Sequence, residues 1–263
     1  MLEVDGTERL LPVLPVSCIR TESFETFTDR YSNHNVKATI GQEAYLWSSV
    51  AEASRRAMTI RYSLLTYMYT LFHDAHANGA TVMRAISWEF PNDKKFRGLD
   101  TQFMLGPSLL VTPVLEPNVD TVKGIFPGIG HGEKWYDWYT LQAVEAEEYE
   151  NVTISAPLEH INVHVRGGSV LPMQKPAYTT GETRQNPYNL LVALDSHGSA
   201  SGSLYLDDGV SVEQEATKMV KVSQMFSRLR LLLHNADTDL RSSTTSTTAC
   251  RPPSKAHTTP SRH

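Results

Sequence analysis

Two different periodicities divide this chain. Between Ser48 and Ala77, apolar side chains recur at helical spacing: Ile60, Leu64, Tyr67, Met68, Leu71, Phe72 and Ala75 form one stripe to be buried. Past Gly106 that spacing is gone. Short β-branched runs follow one another, separated by Gly, Pro and Asn clusters. Such a chain must pack helix against sheet first and sheet against sheet afterwards. Its 263 residues suffice for one large domain or two small ones.

The helical part is expected as one long element or two abutting ones over residues 48–77. Ser49 and Glu52 have the spacing of a capping box, and His73 and His76 lie in the last turn. Asn78-Gly79 supplies the stop. The run Ala80 to Phe90 reads as a buried strand following a helix, and Asp100 to Met104 as a short helical turn. Strands are expected at 109–114, 122–126, 134–139, 152–156, 162–165, 169–171, 190–194 and 203–206, with a boundary near 175–188. Their close succession suggests a sandwich.

Composition narrows the classes further. With 40% hydrophobic residues the chain can bury a core. No apolar run is long enough for a transmembrane helix, so no membrane partner is expected. A charge of −5 leaves no basic footprint for nucleic acid. Cys18 and Cys250 have neither metal-site nor disulfide-framework spacing. The acidic start and the prolines Pro12 and Pro15 read as no signal peptide, leaving the localisation open. Residues 241–263 are mostly Ser, Thr, Pro, Lys, Arg and His, the composition of a disordered tail.

Several groups have chemical potential, each with a plainer structural role. His73-x-x-His76 is half of a zinc set, but histidines at a helix C-terminus also suit its dipole. Glu89, Asp93 and Asp100 stand at and beyond the end of an expected parallel strand, where α/β enzymes place their sites. Caps and turns use the same residue types. Asp207-Asp208-Gly209 fits a hairpin turn better than a cation site. Trp135, Tyr136, Trp138 and Tyr139 could present a sugar-stacking face or fill a core; alternation in a strand allows at most half of them on one surface. Asn151-Val-Thr153 is the one N-glycosylation sequon, with Asn151 the acceptor. Arg166-Gly167-Gly168-Ser169 reads as a tight turn. No metal or cofactor is expected.

A set of motifs in consistent order carries a resemblance. Asn33-His34-Asn35, Gln42-Glu-Ala-Tyr45, Val50-Ala-Glu-Ala-Ser-Arg55, Met83-Arg-Ala85, Trp88-Glu-Phe-Pro91, Leu110-Val-Thr-Pro-Val114, Trp135-Tyr-Asp-Trp138, Val165-Arg-Gly-Gly168 and Leu204-Tyr-Leu-Asp-Asp-Gly209 resemble the glycoside hydrolase family 31 α-glucosidases, in the style of the fungal secreted enzymes. The likeness spans roughly residues 31–217.

The resemblance implies an α/β plus all-β fold: the last units of a (β/α)8 barrel followed by C-terminal antiparallel β-sandwich domains, with a disordered tail. It implies an unmatched segment over 1–22, the barrel end over 23–105, a proximal β-sandwich over 106–175, the start of a distal one over 188–217, and an unmatched, largely disordered tail over 218–263. Two barrel units on their own would expose a strand edge and an apolar helix stripe.

The implied activity of the full-length parent is retaining hydrolysis of terminal α-linked glucose from maltose-like sugars and α-glucans. That chemistry needs two carboxyl groups flanking the glycosidic bond. The family's W-x-D-M-N-E and G-D-N aspartate segments do not occur in this sequence, so no catalytic residue is assigned. His34 matches the family histidine that hydrogen-bonds glucose, although Ser32 stands where the family usually has Arg. A non-catalytic β-sandwich module that binds carbohydrate or another chain stays open as the alternative.

Overall fold

The computed structural model describes residues 43, 45–116, 119–157, 160–212 and 217–223, together with the backbone of strands that reach 225 and run over 228–234 and 246–249. His34 lies outside the described residues.

Two abutting helices open the described part: α1, Ser48–Ser63, and α2, Leu65–Asn78. Leu64 joins them without leaving helical backbone, its N–H shared between the carbonyls of Ile60 and Arg61, both at 3.1 Å. The capping box does not form. The helix begins at Ser48, which places Ser49 inside its first turn, and Glu52 pairs with Arg56 one turn on. Gly79 ends α2 in the left-handed conformation (φ +68°), its N–H bonded to Ala75 O at 3.1 Å, as the Asn-Gly stop predicts.

The expected strand over 80–90 is realised only as β1, Met83–Ala85, which runs straight into a one-turn helix, α3, Ile86–Glu89. Ile86 is fully buried while Trp88 is 58% exposed, so the apolar run cannot continue as one buried strand. Nor is β1 part of a parallel layer. It pairs antiparallel with β2, Phe103–Leu105, which replaces the expected helical turn at 100–104.

The remaining strands fall close to their expected places. They are β3 Leu109–Thr112, β4 Thr121–Gly124, β5 Trp135–Asp137, β6 Val152–Ser155, β7 Asn162–Arg166, β8 Ser169–Gln174, β9 Tyr188–Ala193 and β10 Ser199–Leu206. A short helix, α4 Thr180–Gln185, is capped by the Thr179 hydroxyl. Three more strands follow: β11 Lys218–Met225, β12 Arg228–His234 and β13 Ser246–Ala249.

Strands β1-β2-β3-β7-β5 form one antiparallel sheet and β4-β6 a small ribbon. The second large sheet, β12-β11-β10-β8-β9-β13, is mixed, with parallel pairs β8–β10 and β9–β13. The two large sheets face each other. Leu105, Leu109, Val111, Val163 and Val165 from the first meet Leu171, Leu191 and Ala193 from the second, and α2 closes this core with Tyr67, Met68 and Leu71. The strands have a second buried face as well. Met104, Leu110 and Trp135 point to a core with Ile86, Phe96 and Phe126. Val170, Leu190, Val192 and Leu204 point to another with Val220 and Val222. Burial on both faces explains why β3, β7, β8 and β9 read as apolar runs rather than alternating ones.

Three expected boundaries look different in space. Gly106 falls in the hairpin between β2 and β3, inside one sheet. The segment 175–188 joins β8 to β9, which are neighbours in the second sheet, so it separates no sheets. Lys218–Met225, placed with the tail on loss of resemblance, is instead a strand. It pairs with β10 along its whole length, and the alternating Val220 and Val222 are buried; β12 pairs with it in turn. The rest of the tail lies outside the described residues apart from β13.

Candidate functional site

The carboxylates suggested by sequence are held apart by separate structural partners. Glu89 ends α3 and is only 13% exposed. It is bonded by Arg84, and Arg166 Nη1 stands 3.6 Å from its other oxygen. Arg166 also reaches Glu133 with two bonds, at 3.0 and 2.5 Å, and lies over the Phe90 ring at 4.8 Å. Glu89 is therefore locked between two guanidinium groups. Asp93 caps the 3-10 turn Lys94–Phe96 and accepts the Tyr149 hydroxyl at 2.6 Å, which lowers its pKa. Asp100 is exposed. The three do not form a reacting pair.

The other motifs resolve as follows. His73 stacks on Tyr205 at 3.9 Å between centroids, with its Nδ1 3.6 Å from Asp74. Among the described residues no three or more His, Cys, Asp or Glu side chains gather to hold a metal. Trp135 and Tyr136 are 0% and 1% exposed and face opposite sides of the first sheet; they are core, not a sugar platform. Tyr139 alone of the four stays substantially open, tilted over His160 at 4.0 Å. Gly167 and Gly168 make the expected turn between β7 and β8. Asn151 and Thr153 are both exposed beside and on β6, the presentation a sequon needs. Among the described residues no helix is long and apolar enough to cross a membrane.

One concave feature was not flagged by sequence. A cavity of about 300 Å³ opens where the start of α2, α4 and the ends of β8 and β10 meet. Its floor is tied together across the chain. Thr66 Oγ1 donates to Gln174 Oε1 at 3.0 Å, and Gln174 Nε2 donates to Asn186 O at 2.8 Å. Its wall is built on Asp207, whose side chain is 3% exposed. That carboxylate accepts the Tyr69 hydroxyl at 2.6 Å and faces Arg184 Nη2 at 3.5 Å, while Arg184 also donates to Asp207 O at 2.8 Å. The Asp207 bond, with some burial, pushes the Tyr69 phenol up to about 12. Tyr188 and Tyr205 add two more rings to the lining. Tyr69 and Asp207 are 138 positions apart, so no local pattern reveals the cleft. The one lining segment with a sequence signal is Asp207-Asp208-Gly209, which reads as a hairpin turn rather than a cation site and forms part of a family motif.

With helices leading into one antiparallel and one mixed sheet that face each other, the fold is the end of a barrel joined to C-terminal sheets, and comparison assigns the family. Residues 15–71 match the glycosyl hydrolases family 31 TIM-barrel domain, and residues 79–171 match the glycosyl hydrolase family 31 C-terminal domain. The chain belongs to glycosyl hydrolase family 31. It is 58% identical over 213 residues to an α-glucosidase of Aspergillus niger, which covers 81% of this chain and 22% of that protein. It is 59% identical over 210 residues to an α-glucosidase of Schizosaccharomyces pombe, covering 80% of this chain and 21% of that protein. The chain thus spans about a fifth of the length of these relatives. Among solved structures, the Tris-bound glucosidase II alpha subunit superposes with a TM-score of 0.78 at 26% identity, over 86% of this chain and 25% of that one. A glucose-complexed Flavobacterium johnsoniae family 31 dextranase superposes at 0.69 with 28% identity, over 80% of this chain and 26% of its own.

Proposed function

We propose that this chain supplies the closing portion of the barrel and the C-terminal sheets of a retaining α-glucosidase. That enzyme would release terminal α-linked glucose from maltose-like oligosaccharides and α-glucans. The observation that carries the reading is the 58% identity over 81% of the chain to the Aspergillus niger α-glucosidase. In this reading His34 hydrogen-bonds a glucose hydroxyl. The two aspartate segments that the reaction requires are not in this sequence, so the chain's share of the work is to bind and to brace. Asn151, exposed on a β-rich surface, is the proposed glycan acceptor. The proposed division puts the barrel end before β1 and the C-terminal sheets from β1 onward; the C-terminal-domain match beginning at residue 79 and the pairing of β1 with β2 support that division.

A chimera tests this. Residues 31–217 replace the matching portion of the Aspergillus niger α-glucosidase, and maltose hydrolysis is measured. The expected outcome is retained activity, with kcat/KM falling about 100-fold or more on His34→Ala, as for loss of a hydrogen bond on which recognition of the sugar hydroxyl depends. A folded chimera without activity, or one indifferent to His34→Ala, would overturn the reading.

A further inference from the structure

We propose that the cleft between α2, α4 and the ends of β8 and β10 is a saccharide-binding subsite, built for one neutral hexopyranose unit of a glucan. Its cavity of about 300 Å³ lies at the lower end of the range for small-ligand pockets. Three tyrosines, Tyr69, Tyr188 and Tyr205, contribute to its lining. Aromatic rings offer flat apolar faces to the C–H side of a pyranose, while their hydroxyls stay polar at the edge. Arg184 lines the cleft and has N–H donors beyond the one that bonds Asp207 O, a source of hydrogen bonds to sugar hydroxyls.

Charge argues for a neutral ligand. Among the described lining residues Arg184 is the one cation, and Asp207 at 3.5 Å already offsets it, which disfavours a phosphate or carboxylate. Preorganisation argues for a site rather than a gap. Asp207 is buried and fixes both Tyr69 and Arg184, and Tyr205 is held from behind by the His73 ring at 3.9 Å and by Thr70 Oγ1, which accepts its backbone N–H at 3.1 Å.

The choice of an α-glucan probe rests on the function proposed above. The chain is titrated with maltotriose and followed by saturation-transfer NMR and calorimetry. Binding is expected with a Kd of about 1 mM, typical of a shallow neutral site. Arg184→Ala and Tyr188→Ala should each weaken it about fivefold or more. Arg184 has a 42% exposed side chain, so its truncation leaves the buried cores in place. His34→Ala distinguishes the two sites: in that variant the share of binding that Arg184→Ala and Tyr188→Ala weaken should persist. No saturation transfer at about 20 mM sugar, or binding lost with His34→Ala but kept in Arg184→Ala, would overturn the subsite. In the second case the sugar sits at His34, and the proposed function stands without the cleft. An inactive chimera alongside maltotriose binding that depends on Arg184 would leave the cleft standing without the function.

Discussion

His164 shows at the scale of a single side chain how this fold uses a polar residue inside a core. It sits on β7 with its ring edge-on to Phe126 at 4.7 Å, and it is 3% exposed. Burial holds its pKa down to about 4 from an ordinary 6.5. The Asp137 carboxylate, 4.0 Å from Nε2, opposes that shift in part, and His160 adds to it. Above pH 6.5 the imidazole is neutral in both folded and unfolded chains. As pH falls from 6.5 toward 4, the unfolded chain takes up the proton first, and stability is lost across that window by about 3 kcal/mol at most. Chemical denaturation at pH 7.5 and pH 4.5 should therefore show a steeper fall for the parent than for His164→Gln. Equal falls would show that the buried imidazole does not contribute. Nothing in the sequence points to this residue: a lone histidine between valines carries no periodic or motif signal, and its environment comes from strands β5 and β7 meeting.

At the scale of elements, legibility followed how local the cause was. The Asn78-Gly79 stop, the Gly167-Gly168 turn and most strand positions depend on neighbours in sequence, and they were read correctly. The split of residues 80–90 into β1 and α3 depends on which apolar residues find a core, and that is set by the partner β2. The cleft depends on Tyr69 of α2 meeting Asp207, which follows β10 of the second sheet. Its polar ties and its rings were therefore invisible, although the family itself was legible in motifs spread along the chain. Gly106 joins both kinds of cause. It turns the β2–β3 hairpin with φ +59°, and a Cβ there would come within 2.4 Å of the Tyr67 hydroxyl and 2.6 Å of Leu71 Cδ2. Gly106→Ala should destabilise the chain by about 2–4 kcal/mol through backbone strain and overpacking together. The denaturant midpoint measures this, and a shift worth under about 0.5 kcal/mol would contradict the packing of α2 on the hairpin.

Across the whole molecule, the first sheet and the second share one core, with α2 laid over it. The chain passes from β7 in the one to β8 in the other through two glycines. Gly167 N–H bonds Lys134 O at 2.7 Å, and Gly168 N–H bonds Ala193 O at 2.8 Å, so the crossing is anchored to a segment on each side. So short and so anchored a corner leaves no hinge between the sheets. Neither sheet can open without dragging the other, and amide hydrogen exchange in β7 and β8 should report one opening event with a common free energy. Protection factors that differ between the two strands by more than about tenfold would show that they open independently. A joint without slack makes the two sheets one mechanical body: the strand that borders the cleft, β8, leads through it directly into β7, which ends at Arg166.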